Sequence, residues 1–146
     1  MVHLDGRSPK VDASNVALVG VRSLDREERE NLRSCGVHVF TMHDIDRAGL
    51  PNVIDLAISR VSTGVDGIHL SLDLDVVDPL QAPGVGTPVP GGLTFRETHL
   101  AMEMISTSKR LVSMDVVEVN PILDTHNETG RLAVQFTLSA LGKRIL

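Results

Sequence analysis

Between Leu70 and Pro79 the chain reads Leu-Ser-Leu-Asp-Leu-Asp-Val-Val-Asp-Pro, three carboxylates directly behind an apolar run. Carboxylates suit hard or borderline divalent ions such as Mg²⁺ and Mn²⁺. If the run is a strand that continues through Asp75, alternation puts Asp73 and Asp75 on one side, with Cα atoms roughly 7 Å apart. Acids at a strand end can equally do no more than cap the next turn, and the spacing alone leaves both readings open. A further acid, Glu118, stands in Val117-Glu118-Val119-Asn120-Pro121, again just behind an apolar run.

The surrounding elements decide whether these acids can meet. Gly67 to Leu72 is short, apolar and bounded by Asp66-Gly67, which predicts a buried strand. Asn15 to Val21 is a continuous apolar run, the mark of a strand covered on both faces. Val37–Thr41 and Leu111–Val117 complete a set of four predicted strands, near 16–21, 37–41, 67–73 and 111–117. Helices fall between them. Asp25 with Glu28 makes a capping box for a helix to about Ser34, closed by Gly36. Pro51 opens a second, with Val53, Ile54, Ala57, Ile58 and Val61 on one face. Thr94 and Glu97 cap a third, to about Ser106, and a last one covers about Thr129 to Leu141.

Strand and helix alternate with connections too long for hairpins, so the fold class expected is α/β, a parallel sheet with helices on both faces. Open parallel sheets carry their sites at the carboxyl ends of the strands. Asp73, Asp75 and Glu118 would all emerge at that edge. One long irregular stretch, Val76 to Leu93, starts there and is rich in Pro and Gly. Loops of this length inside a compact domain are uncommon and usually functional.

Composition narrows the class. The 146 residues make one domain or a piece of a larger one, with 1–15 a loosely patterned lead-in. A net charge of −5 argues against nucleic acid or an anionic membrane as partner. The single cysteine, Cys35, excludes an internal disulfide, fits a reducing cytosol and reads as a packing residue at a helix end. No signal peptide or long apolar run interrupts the pattern, so a cytoplasmic location is expected.

The segments Ser-Leu-Asp-Leu-Asp-x-x-Asp-Pro (71–79), Ala-Pro-Gly-Val-Gly-Thr-Pro-Val-Pro-Gly-Gly-Leu (82–93) and Thr-Phe-Arg-Glu (94–97) resemble the carboxyl-terminal metal signature of the ureohydrolases. Glu-Val-Asn-Pro (118–121) and Val-Gly-Val-Arg-x-x-Asp-x-x-Glu (19–28) are similar to the arginase branch, of the Bacillus-like bacterial kind, more than to agmatinases. The resemblance covers essentially the whole chain. It implies a three-layer α/β/α fold, of which this is a carboxyl-terminal part. It also implies hydrolysis of L-arginine, or a close guanidino substrate, to L-ornithine and urea at a pair of Mn²⁺ ions.

By the same resemblance, Asp73 would bridge both ions and Asp75 would bind one. Glu118 would pair with the substrate guanidinium, and Thr87 would line its pocket. Asp25 and Glu28 would receive the α-amino group, directly and through water. Asp46 and Arg96 would form an intersubunit ion pair in a trimer or hexamer.

The family's other metal ligands lie in His-x-Asp and Asp-Ala-His-x-Asp segments, followed by a catalytic histidine; no Asp-Ala-His-x-Asp segment is present, and these ligands are read as missing. The histidines here (3, 38, 43, 69, 99 and 126) are not matched to those ligands. His69, facing the same way as Asp73, reads as a core histidine or a ligand. The expectation is therefore an incomplete site, inactive in the isolated chain. Three alternatives remain. One is a non-catalytic fragment keeping the fold and an oligomer interface, and another an agmatinase-like enzyme. The third is a phosphatase of the haloacid-dehalogenase kind, whose Asp-x-Asp motif Asp73 and Asp75 also match.

Overall fold

The computed structural model describes residues 4–6, 8–144 and 146; His3, with the rest of 1–3 and residue 7 of the lead-in, lies outside them. Among the described residues five α-helices and four strands follow in the order β1 (Ala17–Val21), α1 (Arg26–Cys35), β2 (His38–Thr41), α2 (Met42–Ala48), α3 (Leu50–Val61), β3 (Ile68–Asp73), α4 (Phe95–Thr107), β4 (Leu111–Val117) and α5 (Glu128–Ala140).

The strands run parallel, as the long helical connections require. Hydrogen bonding groups them as two pairs, β1 with β2 and β3 with β4, where the alternation alone suggested one continuous sheet. Burial follows from the pairing. Along β3, Leu72 is buried while His69, Ser71 and Asp73 are exposed, so this strand alternates and is not covered on both faces. Leu18 on β1 likewise stays partly open.

Local chemistry sets the helix ends. Asp25, Thr41 and Thr94 each accept the N3 amide while the N3 carboxylate accepts theirs, three complete capping boxes. The Thr41/Asp44 box starts α2, a helix that the apolar pattern did not announce. Gly36 ends α1 in the left-handed conformation, at φ 86°. Cys35 beside it is exposed, so it is not the packing residue expected.

The core runs from α3 through α4 to α5. Ile45, Leu50, Val53, Ile54, Ala101, Met102, Ile105, Phe136 and Ala140 are all buried. With so few aromatic residues, Phe95 and Phe136 pack edge-on around the His99 ring, at centroid distances of 4.5 and 5.0 Å. His99 Nδ1 is held by the Ser139 hydroxyl at 2.8 Å. Leu74, Val77, Ala82, Val85 and Leu93, all in or beside the irregular stretch, are equally buried.

Candidate metal and guanidinium site

The carboxyl ends of β3 and β4 lie side by side, with Asp73 opposite Val117 in the parallel register. Asp73, Asp75 and Glu118 therefore leave the same edge of the sheet, as expected. The means differs from the expectation. Strand β3 stops at Asp73, and Leu74–Val76 forms a 3-10 turn that the Asp73 side chain caps by accepting the Asp75 N–H at 2.8 Å. A local side-chain bond to the backbone two residues on thus brings the two acids together, in place of the strand pleat.

The Asp75 carboxylate is divided in its use. Its Oδ2 accepts the Thr87 hydroxyl at 2.5 Å, while its Oδ1 is buried with no hydrogen-bond partner. A buried acceptor without a donor carries the cost of its lost hydration, and such atoms are rare in folded proteins. A cation would satisfy it. Asp73 keeps exposed surface, yet desolvation of its carboxyl beside the turn pushes it above the usual carboxylate range, aided by the Asp75 charge. The Asp75 N–H and the Arg22 guanidinium act in the other direction. A bound cation would favour the ionised form of Asp73. The residues fit a divalent ion in part: among the described residues no group of three or more His, Cys, Asp or Glu side chains is arranged around one point.

Glu118 adopts φ 65°, a left-handed conformation that side-chain-bearing residues seldom take outside sites that need it. Its Oε2 leans against the loop, so close that a Cβ on Gly86 would stand 3.3 Å away. Gly86 precedes Thr87, and the two groups expected to meet a guanidinium thus share a neighbourhood.

The loop is tied at several points. At its base, Asp78 N–H bonds Leu93 O at 2.9 Å and Leu93 N–H bonds Val76 O at 2.8 Å. The Asp78 carboxylate takes the amides of Leu80, Gly91 and Gly92, and these bonds hold its pKa below the usual range. In the middle, Val85 bridges Val119, and Asn120 N–H bonds Gly84 O at 2.8 Å. Gly84 N–H donates to the Thr129 hydroxyl at the start of α5. Any Cβ on Gly84 would fall 2.4 Å from the Asp124 Cβ, so only glycine admits this approach. Asp124 in turn accepts the Thr129 and Gly130 amides. Although burial works to raise its pKa, these bonds outweigh it and keep the carboxyl low.

Other expected residues stand apart. Asp25 and Glu28 are exposed, and their hydrogen bonds are those of the α1 capping box. Asp46 is exposed on α2. Arg96 is exposed on α4, where with Asp55 and Glu103 it lines a cleft of about 680 Å³ that contains none of Asp73, Asp75 or Glu118. His69 is neither a core histidine nor at the Asp75 centre. Its ring lies in the open on β3, with Nδ1 2.9 Å from Ser113 Oγ and Nε2 3.3 Å from Asp115 Oδ2.

Arg22, just past β1, has no role expected from sequence beyond its place in the 19–28 segment, yet its guanidinium reaches the carbonyl oxygens of Asp75 and Val89. Bonds to backbone atoms so distant in sequence leave no local signal. No helix among the described residues is long and apolar enough to cross a membrane.

A model of the arginase family matches residues 6–142. The arginase of Bacillus subtilis strain 168 is 51% identical over all 146 residues, which cover 49% of that relative. The crystal structure of Bacillus caldovelox arginase superposes with a TM-score of 0.95 at 48% identity, over 99% of this chain and 48% of that one. Proclavaminate amidino hydrolase from Streptomyces clavuligerus gives 0.78 at 32% identity, over 90% and 42%. The chain thus spans about half the length of the curated relatives it matches. With a family model over nearly its whole extent and a relative half identical throughout, the chain belongs to the arginase family.

Proposed function

We propose that this chain is the carboxyl-terminal part of an arginase-type amidinohydrolase. It carries the guanidinium-facing side and part of the metal shell of a site that turns L-arginine and water into L-ornithine and urea. The observation that carries the reading is the Asp75 carboxylate, with one oxygen on Thr87 and the other buried and bare, beside Asp73 and at the sheet edge where Glu118 emerges.

Asp73 and Asp75 would hold the divalent metal, Mn²⁺ in this family reading. When bound, it supplies an activated water at neutral pH and offsets developing charge. The chain's own residues handle the substrate. Glu118 presents a carboxylate whose two oxygens match the fork of a planar guanidinium, which fixes the angle at which the carbon is offered. Thr87 closes the same wall through its hydroxyl. Asp25 and Glu28, both in the open at the start of α1, would meet the α-amino end of the amino acid. The exposed Asp46 and Arg96 would pair between subunits of a trimer or hexamer, and the free thiol of Cys35 fits the cytoplasm.

A second reading concerns the chain alone. With two carboxylates and no third ligand grouped with them among the described residues, the isolated chain would bind metal weakly and would not turn over. Substrate grip is therefore tested in a complete enzyme, with this chain replacing the matching half of Bacillus subtilis arginase. Glu118→Gln keeps the shape and removes the charge. Loss of one partner from a buried charged pair costs about 2–5 kcal/mol, so kcat/KM for arginine should fall at least about tenfold. An unchanged kcat/KM would make Glu118 a structural residue only.

A further inference from the structure

Arg22 lies one residue past the end of β1, and its partners are unusual for a partly buried cation. Nη2 donates to Asp75 O at 2.6 Å and to Val89 O at 2.6 Å, and Nε donates to Val89 O at 3.0 Å. The salt bridges among the described residues do not include it; its hydrogen bonds go to carbonyl oxygens, while its charge is also felt by the carboxylates of Asp73 and Asp78. The two acceptors sit on opposite limbs of the irregular loop. Asp75 is on the entering limb, and Val89 is two residues beyond Thr87 on the returning one.

The backbone of β1 is shaped to bring Arg22 there. Gly20 interrupts the register between Val19 and Val21 as a bulge, with φ 84°. A Cβ on Gly20 would lie 2.5 Å from Val76 Cγ2, so the strand passes the 3-10 turn at a distance only glycine allows. A bulge re-aims the residues that follow it, and here the fork of Arg22 points across both loop limbs. Lysine could not reproduce this, because its point charge lacks the rigid planar set of donors.

We infer that Arg22 is a positioning residue, clamping the backbone at Asp75 to the backbone at Val89 so that Thr87 stays on one Asp75 oxygen and the other is left bare for a cation. The inference rests on the reading of Asp73 and Asp75 as cation ligands given above. It adds a residue that touches neither cation nor substrate and acts through the loop.

The sign of the effect separates positioning from simple charge. A fixed positive charge beside the site repels a cation, so if charge were all, Arg22→Met would bind Mn²⁺ more tightly and Arg22→Lys would match the native chain. Positioning predicts that both variants bind more weakly, by at least about tenfold, the usual cost of losing a residue that orients a ligand. The experiment is an Mn²⁺ titration of the 146-residue chain and both variants by electron paramagnetic resonance. Hydrogen exchange of the hydrogen-bonded Gly91, Gly92 and Leu93 amides is followed in parallel.

Faster exchange at these amides in both variants, with helical circular dichroism unchanged, supports the clamp. Native exchange in either variant, or native Mn²⁺ affinity in Arg22→Lys, overturns it. Should the variants not fold, the native chain decides by ¹⁵N spectra of its guanidinium. Separate, slowly exchanging Nη signals for Arg22 support the clamp, and a single averaged signal overturns it. Failure of the native chain to bind Mn²⁺ would sink the metal-site reading, while the exchange and guanidinium measurements still decide whether Arg22 holds the loop.

Discussion

Helix α1 has the local marks of a stable element: a capping box at Asp25, acids in its first turn and Gly36 at its end. None of its residues is buried. The stretch from Val76 to Leu93 has almost no repeating structure, yet Val77, Ala82, Val85 and Leu93 are each at most 3% exposed. It is tied at its base to Val76, in its middle to Asn120 and Thr129, and at its tip to Arg22 and Asp75. Regular hydrogen bonding and anchorage in the core are separate properties, and here they fall on different regions. The anchored one is irregular because its backbone makes close approaches: Gly84 and Gly86 let it pass near Asp124 and Glu118, and its buried apolar side chains keep it in place.

The largest effect that probes this contrast is expected from Leu74→Ala. Leu74 is fully buried in the turn between Asp73 and Asp75. Removing such a side chain costs about 2–5 kcal/mol, enough to lower the urea midpoint steeply or unfold the chain. A midpoint within error of the native value would mean that this region is not part of the core.

A smaller effect comes from pH. The folded pKa of Asp78 is depressed, chiefly by the Leu80 and Gly91 amides, so its contribution is present above the unfolded value of about 3.9 and is lost as pH falls through the folded one. Melting temperatures of the native chain should therefore drop between pH 5 and 3, and those of Asp78→Asn should drop less. Asp44 and Asp124, also depressed, keep part of the slope in the variant. Asp73 works in the opposite direction, since its raised pKa disfavours the ionised form in the fold. Equal slopes in the two chains would show that Asp78 does not hold the loop.

The smallest effect belongs to α1. Arg26→Ala removes a 3.0 Å pair with Glu30 in which both side chains are mostly solvent-exposed. Such pairs contribute less than about 0.5 kcal/mol, and urea denaturation should hardly register the change. A loss comparable to Leu74→Ala would show that α1 is anchored after all.

Much of this was legible in the sequence, for reasons that differ by residue. Thr94 and Glu97 announce α4 because a capping box is a local motif read at fixed spacing. Asp73, Asp75 and Glu118 announce a shared edge because apolar runs fix where strands end. The pairing of the two aspartates was expected from the strand pleat and arises instead from a side-chain cap, which spacing alone could not distinguish. Helix α2 escaped because its seven residues carry too short an apolar pattern, although Thr41 and Asp44 were there to be read. The role of Arg22 was invisible, since its partners are carbonyl oxygens 53 and 67 residues away.

The proposal that this chain holds part, and only part, of a two-metal arginase-type site has a direct physical consequence for metal stoichiometry. It is tested most directly by calorimetric titration of the purified 146-residue chain with Mn²⁺. One weakly held ion per chain is expected, lost in Asp75→Asn, because two carboxylates leave most of an octahedral shell to water and cannot offset the repulsion of a second ion. Two tightly bound ions per chain, or a single ion whose affinity Asp75→Asn leaves unchanged, would contradict it.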